Sequence, residues 1–408
     1  LYPGHTKYNE GPLQACDHYH RYREDVALMK KMGLKSYRFS VSWSRILPDG
    51  TEKINQKGIE FYQSLVRELK AAGIEPMVTL YHWDLPYALY LQGGWKNPQI
   101  PDWFAAYTKI VVEALSDQVQ YWMTLNEPQC FVGIGHLQGR HAPFLDEPAS
   151  LRPVTRHVLL AHAKAVQTIR QYAKLPPKVG YAPTGPVFSP CGDESEAAIA
   201  EAYRRTMEVE GCYSISWWCD PVLLGRVPEP MAKALGADVF TPQELELLHQ
   251  PLDYLGFNVY NACAAQQPGS EYTANTWQGS PRTAMEWPIT PDCIYWAIRF
   301  LNQRYGRPIL ITENGMANTD FVMLDGKVHD PQRIDYVHRH LLAARRALQE
   351  GYPLIGYTYW SIMDNYEWAE GYSKRFGLIY VDYRTMERIP KDSAAWYAHV
   401  IATNGSEL

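Results

Sequence analysis

The sequence has no excess of basic residues and no long apolar run, and both absences narrow what the protein can do. Its 39 lysines and arginines are outnumbered by 44 aspartates and glutamates, for a net charge of −5. We therefore expect no nucleic-acid partner, because such binding depends on clustered basic side chains. No stretch reaches the roughly 18 to 20 consecutive apolar residues of a membrane span. We expect a globular protein that does not bind a membrane.

Disulfide and metal patterns are also missing. The seven cysteines are odd in number and lack the close spacing of metal ligands. We therefore expect neither a disulfide framework nor a metal site. A reducing compartment suits such a chain, so we expect a cytoplasmic protein. Secretion stays open as an alternative because the sequence starts at Leu1 rather than at a methionine.

What the sequence does contain is a regular alternation of two patterns. Short apolar, β-branched or aromatic runs predict seven strands at residues 34–41, 74–81, 119–125, 178–182, 252–260, 307–312 and 353–359. Stretches with helical periodicity lie between them. Strands that alternate with helices indicate a parallel sheet, and continuous apolar strands indicate a sheet buried on both faces.

Polar residues at the strand ends favour a barrel over an open sheet. Six such residues follow five different predicted strands or stand at their ends: His82, Asn126, Glu127, Tyr260, Glu313 and Trp360. In a (β/α)8 TIM barrel all these ends converge on one mouth, where the active site is built. No linker rich in proline, glycine or serine interrupts the chain. We therefore predict an α/β TIM barrel that forms a single domain over residues 1–408.

The predicted barrel has seven strands rather than eight. The first helix follows an atypical N-terminal segment, residues 1–15, which contains no apolar run where a first strand belongs. A missing strand would leave two open edges, and such edges pair with other chains unless they are covered. We therefore expect either residues 1–15 or a second subunit to cover the seam, and we predict a homo-oligomer.

Two segments carry a carboxylate at the end of a buried strand. They are residues 124–128, Thr-Leu-Asn-Glu-Pro, and residues 311–315, Ile-Thr-Glu-Asn-Gly. A carboxylate at such a position is costly and persists only with partners or a shifted pKa. Two carboxylates across a barrel mouth suit glycoside hydrolysis, in which one protonates the leaving oxygen and the other attacks the sugar or activates water. Arg38, inside an apolar strand, is a suitable cation for the attacking group.

With two further segments, 82–86 (HWDLP) and 360–368 (WSIMDNYEW), the sequence resembles the family 1 glycoside hydrolases, the retaining β-glucosidases. The resemblance extends from about Cys16 to Gly405. It implies a β-glucosidase that acts without cofactor or metal on small-molecule β-glycosides or oligosaccharides. The intact Glu127 implies an O-glycosidase, and Glu367 implies an unphosphorylated sugar.

The resemblance also implies a role for each site residue. Glu127 is the expected acid/base and Glu313 the expected nucleophile. The expected supporting residues are Arg38, Asn126, Asn258 and Tyr260, and the expected sugar contacts are His82, Trp83, Trp360, Glu367 and Trp368. Loops 138–148 and 262–288 are expected to contact the aglycone. Two alternatives stay open, a catalytically impaired glycan-binding protein and a transglycosylase.

Overall fold

The computed structural model describes residues 4–265 and 279–408 of the chain. Its strands are β1 (Ser36–Ser40), β2 (Glu75–Tyr81), β3 (Tyr121–Asn126), β4 (Lys178–Ala182), β5 (Val187–Ser189), β6 (Leu255–Asn258), β7 (Ala262–Ala264), β8 (Ile309–Asn314), β9 (Leu354–Tyr359), β10 (Ile379–Asp382) and β11 (Glu387–Pro390).

Helices fill most of the intervals between these strands. The α-helices are α1 (His18–Lys31), α2 (Trp43–Ile46), α3 (Gln56–Ala71), α4 (Tyr87–Leu91), α5 (Ile100–Leu115), α6 (Leu151–Tyr172), α7 (Glu196–Glu208), α8 (Ile215–Leu223), α9 (Glu229–Leu235), α10 (Pro242–Leu248), α11 (Cys293–Tyr305), α12 (Pro331–Gln349) and α13 (Asp392–Ala402). Short 3-10 turns cover Lys7–Asn9, Gly94–Lys96, Pro148–Ser150 and Trp368–Glu370, and a π-helix covers Cys130–Leu137.

Seven of the strands form the wall of the barrel. They pair in parallel in the orders β1-β2-β3-β4 and β6-β8-β9. Backbone hydrogen bonds from Asp253 to Val179 and from Asn258 to Pro183 join the two sheets beside β4 and β6. The predicted TIM barrel, with its seven identified strands, is confirmed.

Apolar side chains on both faces of the strands explain this architecture. Met77, Met123 and Leu310 cluster with Tyr254 in the interior of the barrel. Their neighbours along the strands, such as Val78, pack outward in the larger core against the helices. Alternate residues therefore serve two cores, as expected for parallel strands buried on both faces.

The wall is open between β1 and β9. In the described residues no strand pairs with the outer edges of these two strands, and a cavity of about 320 Å³ lies between them. All of β1 is only partly buried, and Ile355 of β9 is 52% exposed. Strands with two neighbours, such as β3 and β8, are almost fully buried.

The N-terminal segment does not cover this seam. Tyr372 donates its backbone N–H to the Glu10 carboxylate and its hydroxyl to the Gly11 carbonyl, so the segment lies against loop 366–372. None of residues 4–15 lines the cavity, and residues 1–3 lie outside the described part of the chain. The expectation that residues 1–15 fill the seam is wrong for the described ones. Their glycines, prolines and charges do not favour a buried strand.

Some elements differ from the sequence prediction. The short parallel pair β5 and β7 and the antiparallel pair β10 and β11 were not predicted, since three or four residues carry little periodic signal. β8 continues to Asn314, so Glu313 belongs to the strand itself. Throughout residues 4–265 and 279–408, none of the helices combines the length and apolar character needed to cross a membrane.

Candidate active site

The predicted site residues meet at the carboxyl ends of the barrel strands. Arg38, Asn126, Glu127, Asn258, Tyr260 and Glu313 form one hydrogen-bonded network across four strands. His82, Trp83, Trp360 and Trp368 form an adjoining aromatic group, and Glu367 lies at its edge. The structure therefore brings all eleven predicted residues into one site.

Glu313 has a charge-stabilising donor at each carboxylate oxygen. Arg38 donates from Nη1 to Oε1 at 2.6 Å, and the Tyr260 hydroxyl donates to Oε2 at 2.7 Å. Glu313 is only 4% exposed. Charge-assisted hydrogen bonds of this kind stabilise the ionised carboxylate and fix its orientation. Such an anion is suited to attack an electrophilic carbon.

Glu127 has a different environment. It directly follows β3, it is 8% exposed, and its φ of 43° is uncommon for a residue other than glycine. Burial raises its pKa, the negative charge of Glu313 raises it further, and a hydrogen bond from the Asn258 amide acts in the opposite direction. Glu127 therefore holds a proton far more readily than an ordinary glutamate, as a general acid must.

Asn126 connects Arg38 to Asn258 and His82 at the mouth of the barrel. Its Oδ1 accepts from Arg38 Nη2 at 2.6 Å and from Asn258 Nδ2 at 2.9 Å. Because a guanidinium can only donate, this contact fixes which end of the Asn126 amide is the oxygen. Asn126 Nδ2 must then donate toward His82 Nε2, 3.2 Å away. Arg38 also donates from Nε to Thr79 Oγ1, so each part of its side chain is held.

His82 is a neutral imidazole in this setting. Burial is the main reason why its pKa is lowered to about 4, and the Arg38 charge adds to the effect against the opposing Glu313 charge. Since Asn126 donates to Nε2, the proton of the ring resides on Nδ1. A neutral ring with one fixed donor can hydrogen-bond to a hydroxyl group without adding charge.

Four aromatic rings line the mouth next to the carboxylates. His82 stacks near Trp360 and Trp368, with ring centroids 5.7 and 6.2 Å apart. Trp83 lies 5.1 Å from Trp368 and donates its indole N–H to the Asn126 carbonyl. Flat rings beside polar donors provide both the stacking face and the hydrogen bonds with which proteins bind sugars.

Glu367 stands on the loop after β9 and is oriented by Asn365, which donates to its Oε2 at 2.7 Å. Burial is the main cause that raises the pKa of Glu367 to about 7, and the hydrogen bond from Asn365 opposes it. Sequence reasoning did not single out Asn365. Its position two residues before Glu367, inside segment 360–368, was the available signal.

A buried group of charged side chains holds the loop after β9 in place. Asp364 accepts from Lys391 Nζ at 2.8 Å, from Arg375 Nη1 at 2.6 Å and from the Gly377 backbone N–H at 3.0 Å. Asp364 and Lys391 are both fully or almost fully buried. These contacts join the loop that carries Trp360 and Glu367 to the C-terminal strand pair. Sequence reasoning missed them because Lys391 is 27 residues from its partner.

Metal ligands are not grouped in this region. Across the described ranges, no three histidine, cysteine, aspartate or glutamate side chains are placed to hold a metal ion.

Comparison with known proteins agrees with this geometry. The family model for glycosyl hydrolase family 1 matches residues 2–406. Beta-glucosidase A of Thermotoga maritima is 42% identical over 99% of this chain and 91% of its own length, and Beta-glucosidase A of Acetivibrio thermocellus is 41% identical over 96% and 88%. The solved structure of the beta-glucosidase from Thermotoga maritima in complex with glucoimidazole superposes with a TM-score of 0.90, at 41% identity over 99% of this chain and 91% of that one. The chain belongs to glycosyl hydrolase family 1.

Proposed function

We propose that the protein is a β-glucosidase that hydrolyses terminal β-D-glycosides with retention of anomeric configuration. The observation that carries the proposal is the contrast between two buried carboxyl groups at one barrel mouth. Glu313 is held by a cation and a phenol, whereas burial and a neighbouring anion favour the protonated form of Glu127. The β-glucosidase relatives support the same activity and a glycoside substrate.

In the first step a Glu313 carboxylate oxygen attacks the anomeric carbon. The bond from that carbon to the aglycone oxygen breaks, and the oxygen takes the proton of Glu127 as it leaves. The products are the free aglycone alcohol and a glycosyl ester on Glu313. Arg38 and Tyr260 orient the attacking carboxylate, since each already holds one of its oxygens.

In the second step Glu127 acts as a base. It takes a proton from water while the water oxygen attacks the anomeric carbon, and the ester bond to Glu313 breaks. Esterification has removed the negative charge of Glu313, which is one of the causes that raise the pKa of Glu127. Glu127 is therefore a better base at this stage, and two inversions give net retention.

The remaining site residues bind the sugar. Asn126 retains an amide hydrogen for the hydroxyl next to the anomeric carbon, and His82 and Trp83 contact the neighbouring hydroxyl. Trp360 offers a stacking face, while Glu367 and Trp368 bind the far side of the ring. The carboxyl group of Glu367 would repel a phosphate, so the preferred sugar is unphosphorylated.

The aglycone contacts the loop of residues 138–148. A cavity of about 270 Å³ beside Trp83 and Trp368 is lined by Arg140, His141 and Phe144 from that loop. Its aromatic lining suits a flat aglycone. The second expected aglycone loop, 262–288, lies partly outside the described residues, because positions 266–278 are not included.

Labelling with a 2-fluoro-glucoside tests the proposal. We expect the glycosyl group to accumulate on Glu313, detected by mass analysis of the labelled peptide, and Glu313→Ala to abolish turnover of an aryl β-glucoside. Glu246→Ala, an exposed glutamate on α10, is the matched control and should retain full activity. A label on another residue, or none in a wild-type enzyme that turns over, would overturn the nucleophile assignment.

The same assays address the two alternatives. A glycan-binding protein would bind the glucoside without turnover, and the comparisons give that alternative no support. A transglycosylase would transfer glucose to an added alcohol faster than to water, so product analysis at high acceptor concentration separates it from a hydrolase.

We further propose that residues 1–408 act as one domain and that a second copy covers the open edges of β1 and β9. The partly exposed apolar side chains along the seam support such pairing. Light scattering after gel filtration tests it, and a monomer at all concentrations would contradict it. The seven cysteines, an odd number without the pattern of a disulfide framework, support a cytoplasmic location, which cell fractionation can test.

A further inference from the structure

Asn258 lies between Asn126 and Glu127 at the end of β3 and Thr312 on β8, and its side chain is hydrogen-bonded to all three. Its side chain is fully buried at the end of β6. Nδ2 donates to Glu127 Oε1 at 2.8 Å and to Asn126 Oδ1 at 2.9 Å. Both hydrogens of the amide nitrogen are therefore used, one by each of these oxygens.

The oxygen of the same amide has a single partner among the described hydrogen bonds. Thr312 Oγ1 donates to Asn258 Oδ1 at 2.6 Å. Thr312 is 1% exposed and directly precedes Glu313 on β8, so no bulk water replaces its hydroxyl. A buried carbonyl oxygen left without a donor is unfavourable, and the amide gains from any rotation that finds it one.

A flip of the Asn258 side-chain amide would exchange its nitrogen and oxygen, and so change which atom faces the Glu127 carboxyl group. In the observed orientation Asn258 presents N–H to Glu127, which stabilises the ionised carboxylate. In a rotated orientation the amide oxygen would accept the proton of Glu127 and stabilise the acid form. Two contacts favour the first orientation: the Thr312 hydroxyl, which donates to the amide oxygen, and Asn126 Oδ1, which accepts from the amide nitrogen.

We propose that Thr312 is a positioning residue whose hydroxyl, together with Asn126 Oδ1, holds the Asn258 amide with its nitrogen toward Glu127, and so contributes to how readily Glu127 releases its proton. This proposal rests on the acid/base role of Glu127. Thr312 acts through Asn258 and touches neither the sugar nor the aglycone.

The other charged or titratable groups that face Glu127 stay the same when Thr312 is changed. They are Glu313 on β8, Arg38 on β1, Tyr260 after β6 and Cys130 on the π-helix. Burial raises the pKa of Cys130 well above its ordinary value, and that of Tyr260 likewise, so both are neutral throughout the range of an activity profile. A shift of the pH–activity profile in a Thr312 variant therefore reports a change in the orientation of the Asn258 amide.

The test is the pH dependence of kcat/KM for an aryl β-glucoside. Its alkaline limb reports the acid/base in the free enzyme. Thr312→Val is nearly isosteric and removes the hydroxyl, so we expect this limb to move to higher pH by about 0.5 to 1 unit, the effect of one neutral hydrogen bond. Thr312→Ser keeps the hydroxyl and should restore the wild-type profile. Thr312→Ala provides a second variant without the hydroxyl if the valine does not fold.

Thr108→Val is the matched control. Thr108 is fully buried on α5, and its hydroxyl has no hydrogen-bond partner in the structure, so its removal should leave the profile in place. The proposal is overturned if active Thr312→Val or Thr312→Ala enzyme keeps the wild-type alkaline limb, or if Thr312→Ser shifts it equally. A wild-type enzyme without glucosidase activity would instead refute the proposed function.

Discussion

Glu313 accepts hydrogen bonds from a guanidinium and a phenol, whereas Glu127 accepts one from a neutral amide. Both side chains are glutamates of similar burial, so what distinguishes them is the set of hydrogen-bond partners around each one. The negative charge of Glu313 also raises the pKa of Glu127. At the scale of single residues, the proposed mechanism depends on the effect of one carboxyl group on the protonation of the other.

Glu313→Gln tests how far the negative charge of Glu313 raises the pKa of Glu127. Glutamine keeps the shape of the side chain and removes its negative charge, so the pKa of Glu127 should fall. A shift of about one unit or more is expected for two groups that share a buried site. Carboxyl 13C NMR titration of labelled protein measures it directly and does not require an active enzyme.

Glu246→Gln is the control for the NMR titration, because Glu246 is exposed on α10. It should leave the Glu127 resonance unchanged. An unaltered Glu127 titration in Glu313→Gln would mean that burial alone raises its pKa, and the proposed change of role between the two chemical steps would lose its electrostatic basis.

At the scale of elements, the loop after β9 depends on charges that come from elsewhere in the chain. Lys391 bridges Asp364 of that loop and Asp320, and all three are buried. Burial lowers the pKa of Lys391, and the two carboxylates oppose that effect. Such a group holds the loop in one place only while each charge keeps its partners.

Lys391→Met should therefore weaken both the fold and sugar binding. Removal of one member of a buried charge group typically costs about 3 to 5 kcal/mol of unfolding free energy. The loop that carries Trp360 and Glu367 would lose an anchor, so KM should rise more than kcat falls. Denaturant unfolding and steady-state kinetics measure the two effects.

Lys327→Met provides the comparison, since Lys327 is exposed in the loop before α12. It should alter neither quantity. If Lys391→Met lowered stability but left KM unchanged, the buried charges would contribute to folding without positioning the loop.

Elements with long periodic patterns could be predicted from the sequence, and short or locally paired ones could not. Strands β2 and β3 have seven and six mostly apolar residues, and their boundaries shift by only one or two positions from the prediction. By contrast, β10 and β11 have four residues each and are defined by their pairing with one another. Pairing between distant segments leaves no local signal.

The same distinction holds for the site. Glu127 and Glu313 could be found because each interrupts an apolar strand end. Thr312 could not, because a threonine is ordinary in a strand and its role depends on which way the Asn258 amide faces. Residue types were therefore predictable from the sequence, whereas the orientation of each polar group required the three-dimensional contacts.

At the scale of the whole molecule, the response of stability to pH is set by groups buried in their neutral forms. Six histidines in the described part of the chain have a pKa lowered mainly by burial: His82, His136, His141, His157, His162 and His340. Four partly or fully buried carboxyl groups have a raised pKa and act with the opposite sign: Asp84, Glu127, Asp292 and Glu367.

Between pH 5 and 6 the histidines outweigh the carboxyl groups. An unfolded histidine, with its ordinary pKa of 6.5, binds a proton there, whereas His162, whose pKa burial lowers to about 3, does not. The unfolded chain therefore gains more protons than the folded one, and stability must rise with pH through this window. Each unbalanced proton is worth about 1.4 kcal/mol per pH unit. A net difference of two protons therefore changes the free energy of unfolding by about 3 kcal/mol per pH unit.

His162→Gln should remove one of the side chains that bind a proton in the unfolded chain but not in the folded protein. His162 is completely buried, so we expect the slope of unfolding free energy against pH to fall by about 1.4 kcal/mol per unit between pH 5 and 6. The measurement is denaturant unfolding at a series of pH values. His20→Gln is the control, because His20 is exposed at the start of α1 and should leave the slope unchanged. Equal slopes in the wild type and His162→Gln would show that the buried imidazole is already charged in the folded protein at pH 5.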